Sequence, residues 1–201
     1  NDRDIIVPFP PQAKLSGYKG EIGKTLVYEK KFTLPKGLLK EKFLLHFGAV
    51  DQIAEVWLND KCLGKHEGGY LPFTFDVTGT LNNNGENYLR VVVYDDLSTD
   101  YPYGKQTKKR GGMWYTPVSG IWQNVWMENV PKHYIKKLTL TPDTKSVKIG
   151  LDVETADFKA ALTLHNGEVV KREFVGKEGI IDLSEIRSEE HTSELQSLQL
   201  I

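Results

Sequence analysis

The sequence has a single cysteine among its 201 residues and almost no excess of charge. One cysteine excludes an internal disulfide framework and any zinc site built from several cysteines. We expect this residue, Cys62, to be buried as a small apolar side chain, because it stands within a strand-like pattern. The formal net charge of −1 gives no field that favours nucleic acid or an anionic membrane surface, so the sequence predicts neither partner.

Long apolar runs and metal-binding histidine spacings are also missing. No stretch approaches the roughly 20 apolar residues that cross a bilayer, so we expect no membrane span. The five histidines show no His-x-His or His-x₃-His spacing. The sequence therefore predicts no metal site, and nothing in it indicates a cofactor.

The pattern that is present has a period of two, with β-branched and aromatic residues throughout, as in Val56–Leu58 and Ile121–Met127. Convincing helical periodicity does not occur before the final residues. Asparagine- and glycine-rich turns separate the predicted strands, and tight hairpin turns of this kind join antiparallel neighbours. The turns lie at residues 59–60, 82–85 and 165–168. An all-β sandwich is the predicted fold class.

Three segments follow from changes in this pattern along the chain. The first predicted domain spans 1–131 and ends where a strand meets Pro131. The second spans 132–186, with strands expected near 134–141, 146–154, 159–165 and 168–175. Because a complete immunoglobulin-like sandwich has roughly seven strands, we expect a partial domain here. The last segment, 187–201, turns abruptly polar and resembles the translation of a sequencing adapter, so we expect it to be non-native.

A series of short motifs occurs in a fixed order between residue 5 and about residue 131. The motifs occupy 8–11, 15–17, 47–51, 55–61, 64–73, 85–93 and 118–122. Together they resemble the N-terminal domain of glycoside hydrolase family 2. Enzymes of that family combine a galactose-binding-like jelly roll, an immunoglobulin-like sandwich and a (β/α)₈ barrel that carries two catalytic glutamates.

The resemblance implies that this chain holds the jelly roll, part of the immunoglobulin-like sandwich and none of the barrel. We therefore predict a non-catalytic N-terminal part of a β-galactosidase- or β-glucuronidase-like hydrolase, inactive by itself, which docks on the barrel and shapes its active site. Its expected partners are the carbohydrate substrate of the parent enzyme and the barrel of the same polypeptide. The alternative is a stand-alone carbohydrate-binding module.

The carboxylates of the sequence do not suggest a catalytic pair. Retaining glycosidases hold two carboxyl groups about 5 Å apart on a rigid scaffold. Glu67 lies in a glycine-rich loop, and Asp95 and Asp96 are adjacent in an extended segment, where neighbouring side chains point to opposite faces. We predict no catalytic residue in the chain and expect these carboxylates to be solvated or to stabilise turns.

The long connection from Asp95 to Val118 is the predicted binding region, because long loops are commonly kept for function. Trp114 and Tyr115 belong to it. By resemblance, this connection and the proline-rich segment 8–11 approach the barrel's active-site mouth. The candidate substrate-binding residues are Asp95, Asp96, Trp114 and Tyr115.

Two further expectations concern folding. Trp57, Trp122 and Trp126 lie in predicted strands, and we expect them to pack in the core, with stacking on a sugar as the alternative. Gly68–Gly69 is expected to supply a positive φ angle or to let the backbone pass close to another segment.

Overall fold

The computed structural model describes residues 3–38, 41–108, 111–153, 157–163, 167–184 and the strand at 197–200. Two compact units, Asn1–Pro131 and Lys132–Ile201, make up the chain. In the described ranges the regular structure is β-strand, with one 3₁₀ turn at Lys14–Ser16, which confirms the predicted all-β class. No helix among these residues is long and apolar enough to cross a membrane.

Among its described residues, unit 1 has nine strands, which form two main sheets and one short pair. The strands are β1 (Thr25–Thr33), β2 (Lys42–Phe47), β3 (Val50–Asp51), β4 (Ile53–Leu58), β5 (Lys61–Glu67), β6 (Phe73–Asp76), β7 (Glu86–Tyr94), β8 (Gly120–Ile121) and β9 (Val125–Val130). The larger sheet has the order β1-β7-β4-β5 and the smaller β6-β2-β9, while β3 pairs with β8. Every pairing is antiparallel, as the turn chemistry predicted.

Apolar and polar side chains alternate along the strands, so each sheet has one apolar face, and the apolar faces of the two sheets pack against each other. On β4 the buried residues Ala54, Val56 and Leu58 alternate with half-buried ones, and β2 contributes Phe43, Leu45 and Phe47 from the opposite sheet. These side chains form a single core with those of β7. Full burial of each large one stabilises the fold by roughly 1.5–3 kcal/mol before the entropy of ordering is counted.

An open groove of about 1970 Å³ borders β1 and β9. Half-buried side chains that face the core line it, among them Phe32 of β1 and Met127 of β9. The two sheets therefore do not close completely on this side of unit 1.

The predicted turn at Asn59–Asp60 joins β4 and β5 as a hairpin, with φ angles of 48° and 63°. The turn at 82–85 is different, because it connects β6 in one sheet to β7 in the other and is not a hairpin. The fully buried Asn87 side chain holds it. Its Oδ1 accepts from the Asn59 side chain and the Asn82 backbone N–H, both at 2.8 Å, and its Nδ2 donates to the Asn82 carbonyl.

The part of unit 2 that the structure describes has six strands in two three-stranded sheets and its own core around Ile149, Leu162 and Ile181. The strands are β10 (Lys137–Pro142), β11 (Ser146–Asp152), β12 (Asp157–Thr163), β13 (Val169–Val175), β14 (Glu178–Asp182) and β15 (Ser197–Leu200). The sheet orders are β10-β11-β14 and β13-β12-β15. Unit 2 is thus a second β-sandwich built from these two sheets.

The four strands predicted for unit 2 correspond to β10–β13, whereas β14 was missed. Gly179 interrupts the apolar alternation of β14, and Ile180 on its outer side is 60% exposed, so the pattern is weak. Part of the predicted non-native tail forms β15, which pairs with β12. The rest of that tail, and residues 165–166 of the third predicted turn, lie outside the described residues.

The core predictions for Cys62, Trp57 and Trp126 were wrong. Cys62 is exposed, because its neighbour Leu63 on β5 packs against the core and successive side chains point to opposite faces. Trp57 lies on the outer face of β4, where its Nε1 donates to Glu55 at 2.6 Å. Trp126 is 46% exposed on the outer face of β9, since the inner positions of that strand are Val125 and Met127.

Candidate functional site

The candidate site forms where β4 begins and β7 ends. Ile53, the first residue of β4, pairs with Tyr94, the last residue of β7. The antiparallel pairing therefore places Asp51 and Gln52, which precede β4, beside Asp95, which follows β7. The Gln52 N–H donates to the Tyr94 carbonyl at 3.4 Å. Two carboxyl groups that are far apart in sequence thus meet at one end of the larger sheet.

Asp51 is 5% exposed, although it is an ionisable residue. The backbone of Gly69 lies so close to it that a Cβ added to Gly69 would overlap the Asp51 carboxyl group. Gly68 adopts φ 116° and donates to the Gln52 carbonyl at 3.0 Å. Both expectations for the Gly68–Gly69 pair are confirmed, one at each residue.

Trp122 fixes the same glycine loop from the other side. Its Nε1 donates to the Gly69 carbonyl at 2.8 Å, and its ring meets the edge of Tyr70 with a centroid separation of 6.3 Å. Trp122 is therefore half-buried against the glycine loop and not one of the core residues. This hydrogen bond keeps the loop against Asp51.

Burial, with a smaller contribution from the charge of Asp95, raises the pKa of Asp51 to about 7. Burial also raises the pKa of Asp95. The Leu97 N–H and the Lys108 charge oppose that increase, and the Asp96 charge adds to it. At neutral pH Asp51 is thus close to half-protonated and can donate or accept a hydrogen bond.

Asp95 and Asp96, two of the predicted binding residues, shape the start of the long connection. The Asp95 N–H donates to the Lys24 carbonyl at 2.8 Å, and its Oδ1 accepts from the Leu97 N–H at 2.8 Å. Within the described residues, Asp95 Oδ2 is buried and has no hydrogen-bond partner. Asp96 Oδ1 accepts from the Ser98 N–H at 3.0 Å, while its Oδ2 lies 3.6 Å from Lys24 Nζ.

Trp114 and Tyr115, the other two predicted residues, lie farther along the connection and are 44% and 64% exposed. The Tyr115 N–H donates to the Lys105 carbonyl at 2.9 Å, and the Val118 N–H donates to Gln106 Oε1. The connection therefore folds back on itself. In the described part of the chain no hydrogen bond or ion pair joins this pair to Asp95 or Asp96.

The proline-rich segment 8–11 is anchored to the end of the connection. Gln12 Nε2 donates to Ser119 Oγ at 2.7 Å, and the Ser119 N–H donates back to Gln12 Oε1 at 3.3 Å. The next residue, Gly120, pairs with Asp51. The N-terminal segment, the connection and the carboxyl pair thus belong to one end of unit 1, which we call the loop end.

Asp51 was not among the predicted site residues, although it lies in the motif at 47–51. The signal available was a charged residue directly after the apolar pair Ala49–Val50, at a position where a strand would bury it. Glu67, the third carboxylate considered, is exposed and pairs with Lys65 at 2.6 Å. Across the described residues, no group of three or more His, Cys, Asp or Glu side chains is arranged to hold a metal ion.

An antiparallel jelly roll with its buried carboxyl groups and long connection at one end is of the galactose-binding-like class. The family described as "Glycosyl hydrolase 2 galactose-binding domain-like" matches residues 20–120, and the chain belongs to this family.

The chain is also similar to individual members of the family. It is 27% identical over 169 residues to a β-galactosidase of Thermoanaerobacter pseudethanolicus, covering 81% of this chain and 22% of the relative. It is 33% identical over 110 residues to a β-glucuronidase of Formosa agariphila, covering 54% of this chain and 11% of the relative. The chain therefore spans less than a quarter of the length of these curated relatives.

A solved structure with a similar fold is the β-glucuronidase of Faecalibacterium prausnitzii. The TM-score is 0.66 at 23% sequence identity, and the match covers 89% of this chain and 35% of that one. At this identity the similarity is one of fold, and the all-β architecture is consistent with a galactose-binding-like domain and an immunoglobulin-like β-sandwich.

Proposed function

We propose that this chain is the non-catalytic N-terminal part of a family 2 glycoside hydrolase, and that unit 1 docks on a catalytic (β/α)₈ barrel. In this role the loop end shapes the barrel's substrate site, and the polypeptide as a whole hydrolyses O-glycosyl bonds. The observation that carries the proposal is the coincidence of the family match, at residues 20–120, with the unit that presents the loop end.

Exposed apolar side chains around the loop end support a docking role. They are Tyr70 (50%), Leu71 (69%), Met113 (66%), Trp114 (44%) and Tyr115 (64%), and we call this set the loop face. The segment at Gly104 links Tyr70 with Tyr115. A Cβ at Gly104 would lie 3.7 Å from the Tyr70 hydroxyl, and the carbonyl of the next residue, Lys105, accepts from the Tyr115 N–H. Clustered apolar exposure of this kind is typical of an interaction surface.

The carboxyl groups of the loop end are poorly suited to catalysis. A retaining mechanism requires a nucleophile and an acid/base on either side of a sugar, about 5–5.5 Å apart. Asp51 is almost fully buried and covered by Gly69, and Asp95 Oδ1 is engaged by its own turn. In the proposed role Asp95, Asp96, Trp114 and Tyr115 line the substrate side of the interface and carry out no bond cleavage.

The test is to read the source DNA onward from the codon for Ile186, express the complete polypeptide and assay aryl β-galactosides and β-glucuronides. We expect turnover of at least one. The double variant Leu71→Ser/Met113→Ser should loosen the interface and lower kcat/KM, because both side chains are more than 60% exposed here and buried in the proposed complex.

Val175→Ser is the matched control, since Val175 is 90% exposed on unit 2 and lies outside the loop face. It should leave kcat/KM unchanged. Full activity in the double variant would contradict docking through the loop face. If the complete polypeptide hydrolysed none of the glycosides, the glycosidase assignment itself would be contradicted.

A stand-alone carbohydrate-binding module is the second candidate function. The exposure of Trp114 and Tyr115 favours it, because an exposed ring can stack on a sugar. Sugar binding by the 201-residue chain that Trp114→Ala abolishes would support this candidate over docking.

A further inference from the structure

The two main sheets of unit 1 differ in size, with four strands in the larger and three in the smaller. The short pair β3–β8 continues the pairing of β2 with β9 and adds no strand at the edge. A jelly roll commonly has eight strands in two sheets. Among the described residues the smaller sheet is thus one strand short, and the open groove lies at its β9 edge.

The backbone of β9 has room for another strand beside it. β9 pairs with β2 on one side, and within the described ranges no strand lies on its other side. Alternate N–H and C=O groups of such an edge strand point outward and can pair with a further strand. At the β8 end the edge is closed, because the Tyr28 hydroxyl accepts from the Ile121 N–H at 3.3 Å. The open edge therefore corresponds to the six residues of β9, Val125–Val130.

Apolar side chains face this vacant position from the inside of the sandwich. Val125 and Met127 on β9 and Phe32 on β1 are only partly buried, although they pack against the core. All three line the groove. A strand beside β9 would direct every second side chain into the groove. Apolar residues at those positions would remove the three side chains from water and stabilise unit 1.

Trp126 leaves apolar surface uncovered at the same edge, on the outer face of β9. His46 on the neighbouring β2 stacks on one face of the indole, with ring centroids 4.9 Å apart. Trp126 is nevertheless 46% exposed, and its other face is directed away from β2, towards the open edge. A side chain at the paired position of an added strand would cover that face. An added strand would therefore bury apolar surface on both faces of β9.

A second copy of the chain does not fit the vacant position. If two β9 strands paired antiparallel about a twofold axis, the two smaller sheets would form one sheet with both core-facing sides on the same face. The larger sheet of each copy covers that face, and β1 already lies across the groove from β9. The two larger sheets would collide. A single strand brings no second layer and can enter the groove.

We propose that the open edge of β9 accepts one extended strand of the same polypeptide, from the segment N-terminal to residue 1, which completes the smaller sheet. Its inner side chains are apolar and fill the groove, and one outer side chain packs on Trp126. Ile5 and Val7 line the groove, so a segment on their N-terminal side is within reach of β9. The inference rests on the proposed function in one respect, since it places this chain within a longer polypeptide.

The test compares the 201-residue chain with the complete polypeptide, expressed after the source DNA has been read in both directions. Hydrogen exchange measured by mass spectrometry follows the backbone amides of β9. We expect these amides to exchange about tenfold more slowly in the complete polypeptide, because the outward N–H groups gain partners. The control is β5, the other edge strand of unit 1 that begins at Lys61, whose exchange should be nearly unchanged. Equal slowing at both strands, or none at β9, would overturn the proposal.

Photo-cross-linking then identifies the occupant. In the complete polypeptide, Trp126→p-benzoylphenylalanine should form a cross-link to the segment N-terminal to residue 1 of the same molecule. The matched control is Trp114→p-benzoylphenylalanine, since Trp114 is comparably exposed but lies on the loop face, and it should not reach that segment. A cross-link from position 126 to a second copy or to any other part of the polypeptide would contradict the proposal.

Deleting the N-terminal segment from the complete polypeptide should return the exchange of β9 to the rate in the 201-residue chain. Circular dichroism confirms that the shortened protein is folded. Glycosidase assays of the complete polypeptide separate this inference from the proposed function. Turnover together with unprotected β9 amides would refute the added strand alone, whereas protected β9 amides without turnover on any glycoside would contradict the proposed function and support the strand.

Discussion

The interior of unit 1 and its loop end bury side chains for different reasons. In the interior, Phe47 is fully buried and stacks on Phe73, with centroids 4.8 Å apart, and its neighbours are apolar. At the loop end the buried groups include the Asp51 carboxyl and the unpartnered Asp95 Oδ2. Burial stabilises the fold in the first region and costs stability in the second, which is typical of a functional surface supported by a stable scaffold.

The largest expected effect tests the interior. Phe47→Ala should lower the free energy of unfolding by about 3–5 kcal/mol, because it removes a fully buried ring and leaves a cavity. Urea unfolding followed by tryptophan fluorescence measures this, since all four tryptophans lie in unit 1.

Val27→Ala is the matched control on the same unit. Val27 is 50% exposed on β1, so its truncation should change the free energy by less than about 0.5 kcal/mol. If Phe47→Ala were as mild as this control, the interior would be loosely packed and the contrast between the two regions would disappear.

A smaller effect is expected at the loop end from Gly69→Ala. The added methyl group would overlap the Asp51 carboxyl, and relieving that overlap should lower the free energy of unfolding by about 1–3 kcal/mol. Gly79→Ala is the control, because a Cβ at Gly79 would have no atom within 4 Å.

A double-mutant cycle with Asp51→Ala sharpens this prediction. Removing the carboxyl group should make Gly69→Ala less harmful, because the two residues are in contact. Strictly additive effects of the two changes would mean that Gly69 is not packed against Asp51.

A further effect concerns the dependence of stability on pH. Because the pKa of Asp51 is raised from 3.8 to about 7 in the folded chain, folded protein retains a proton that unfolded protein has lost between those values. The contribution of Asp51 to stability is therefore complete below about pH 4 and is lost as the pH rises towards 7. Asp95, whose pKa is also raised, acts in the same direction.

Asp51→Asn should remove the contribution of Asp51 to this dependence and leave that of Asp95. The free energy of unfolding, measured by urea denaturation, should fall more between pH 5 and pH 8 for the wild-type chain than for the variant. Asp60→Asn, at an exposed turn residue, provides the comparison and should follow the wild type. A variant that responds to pH exactly as the wild type does would show that the Asp51 carboxyl is not buried in the manner described.

Much of the fold followed from the sequence, because a period of two and asparagine turns are local signals. The hairpin at Asn59–Asp60 and the strands β10–β13 are examples. Which face of a strand is inside is not local. Trp126 was expected in the core because of its size, but the neighbouring Val125 and Met127 occupy the inner positions.

The candidate site was only partly predictable for the same reason. Gly68–Gly69 could be identified as a special backbone, but its partner Asp51 depends on the pairing of β4 with β7 and of β3 with β8. The four predicted binding residues form two separate groups along the connection, and their role in binding remains a prediction. Contacts between segments distant in sequence determine the loop end, and local patterns do not reveal them.

The central proposal is that this chain supports glycoside hydrolysis without performing it. The most direct measurement is the release of 4-nitrophenol from its β-galactoside and β-glucuronide by the purified 201-residue chain. We predict no release above the buffer rate. Turnover by the wild-type chain that Asp51→Asn or Asp95→Asn abolishes would contradict the claim, because the loop end would then contain the catalytic groups.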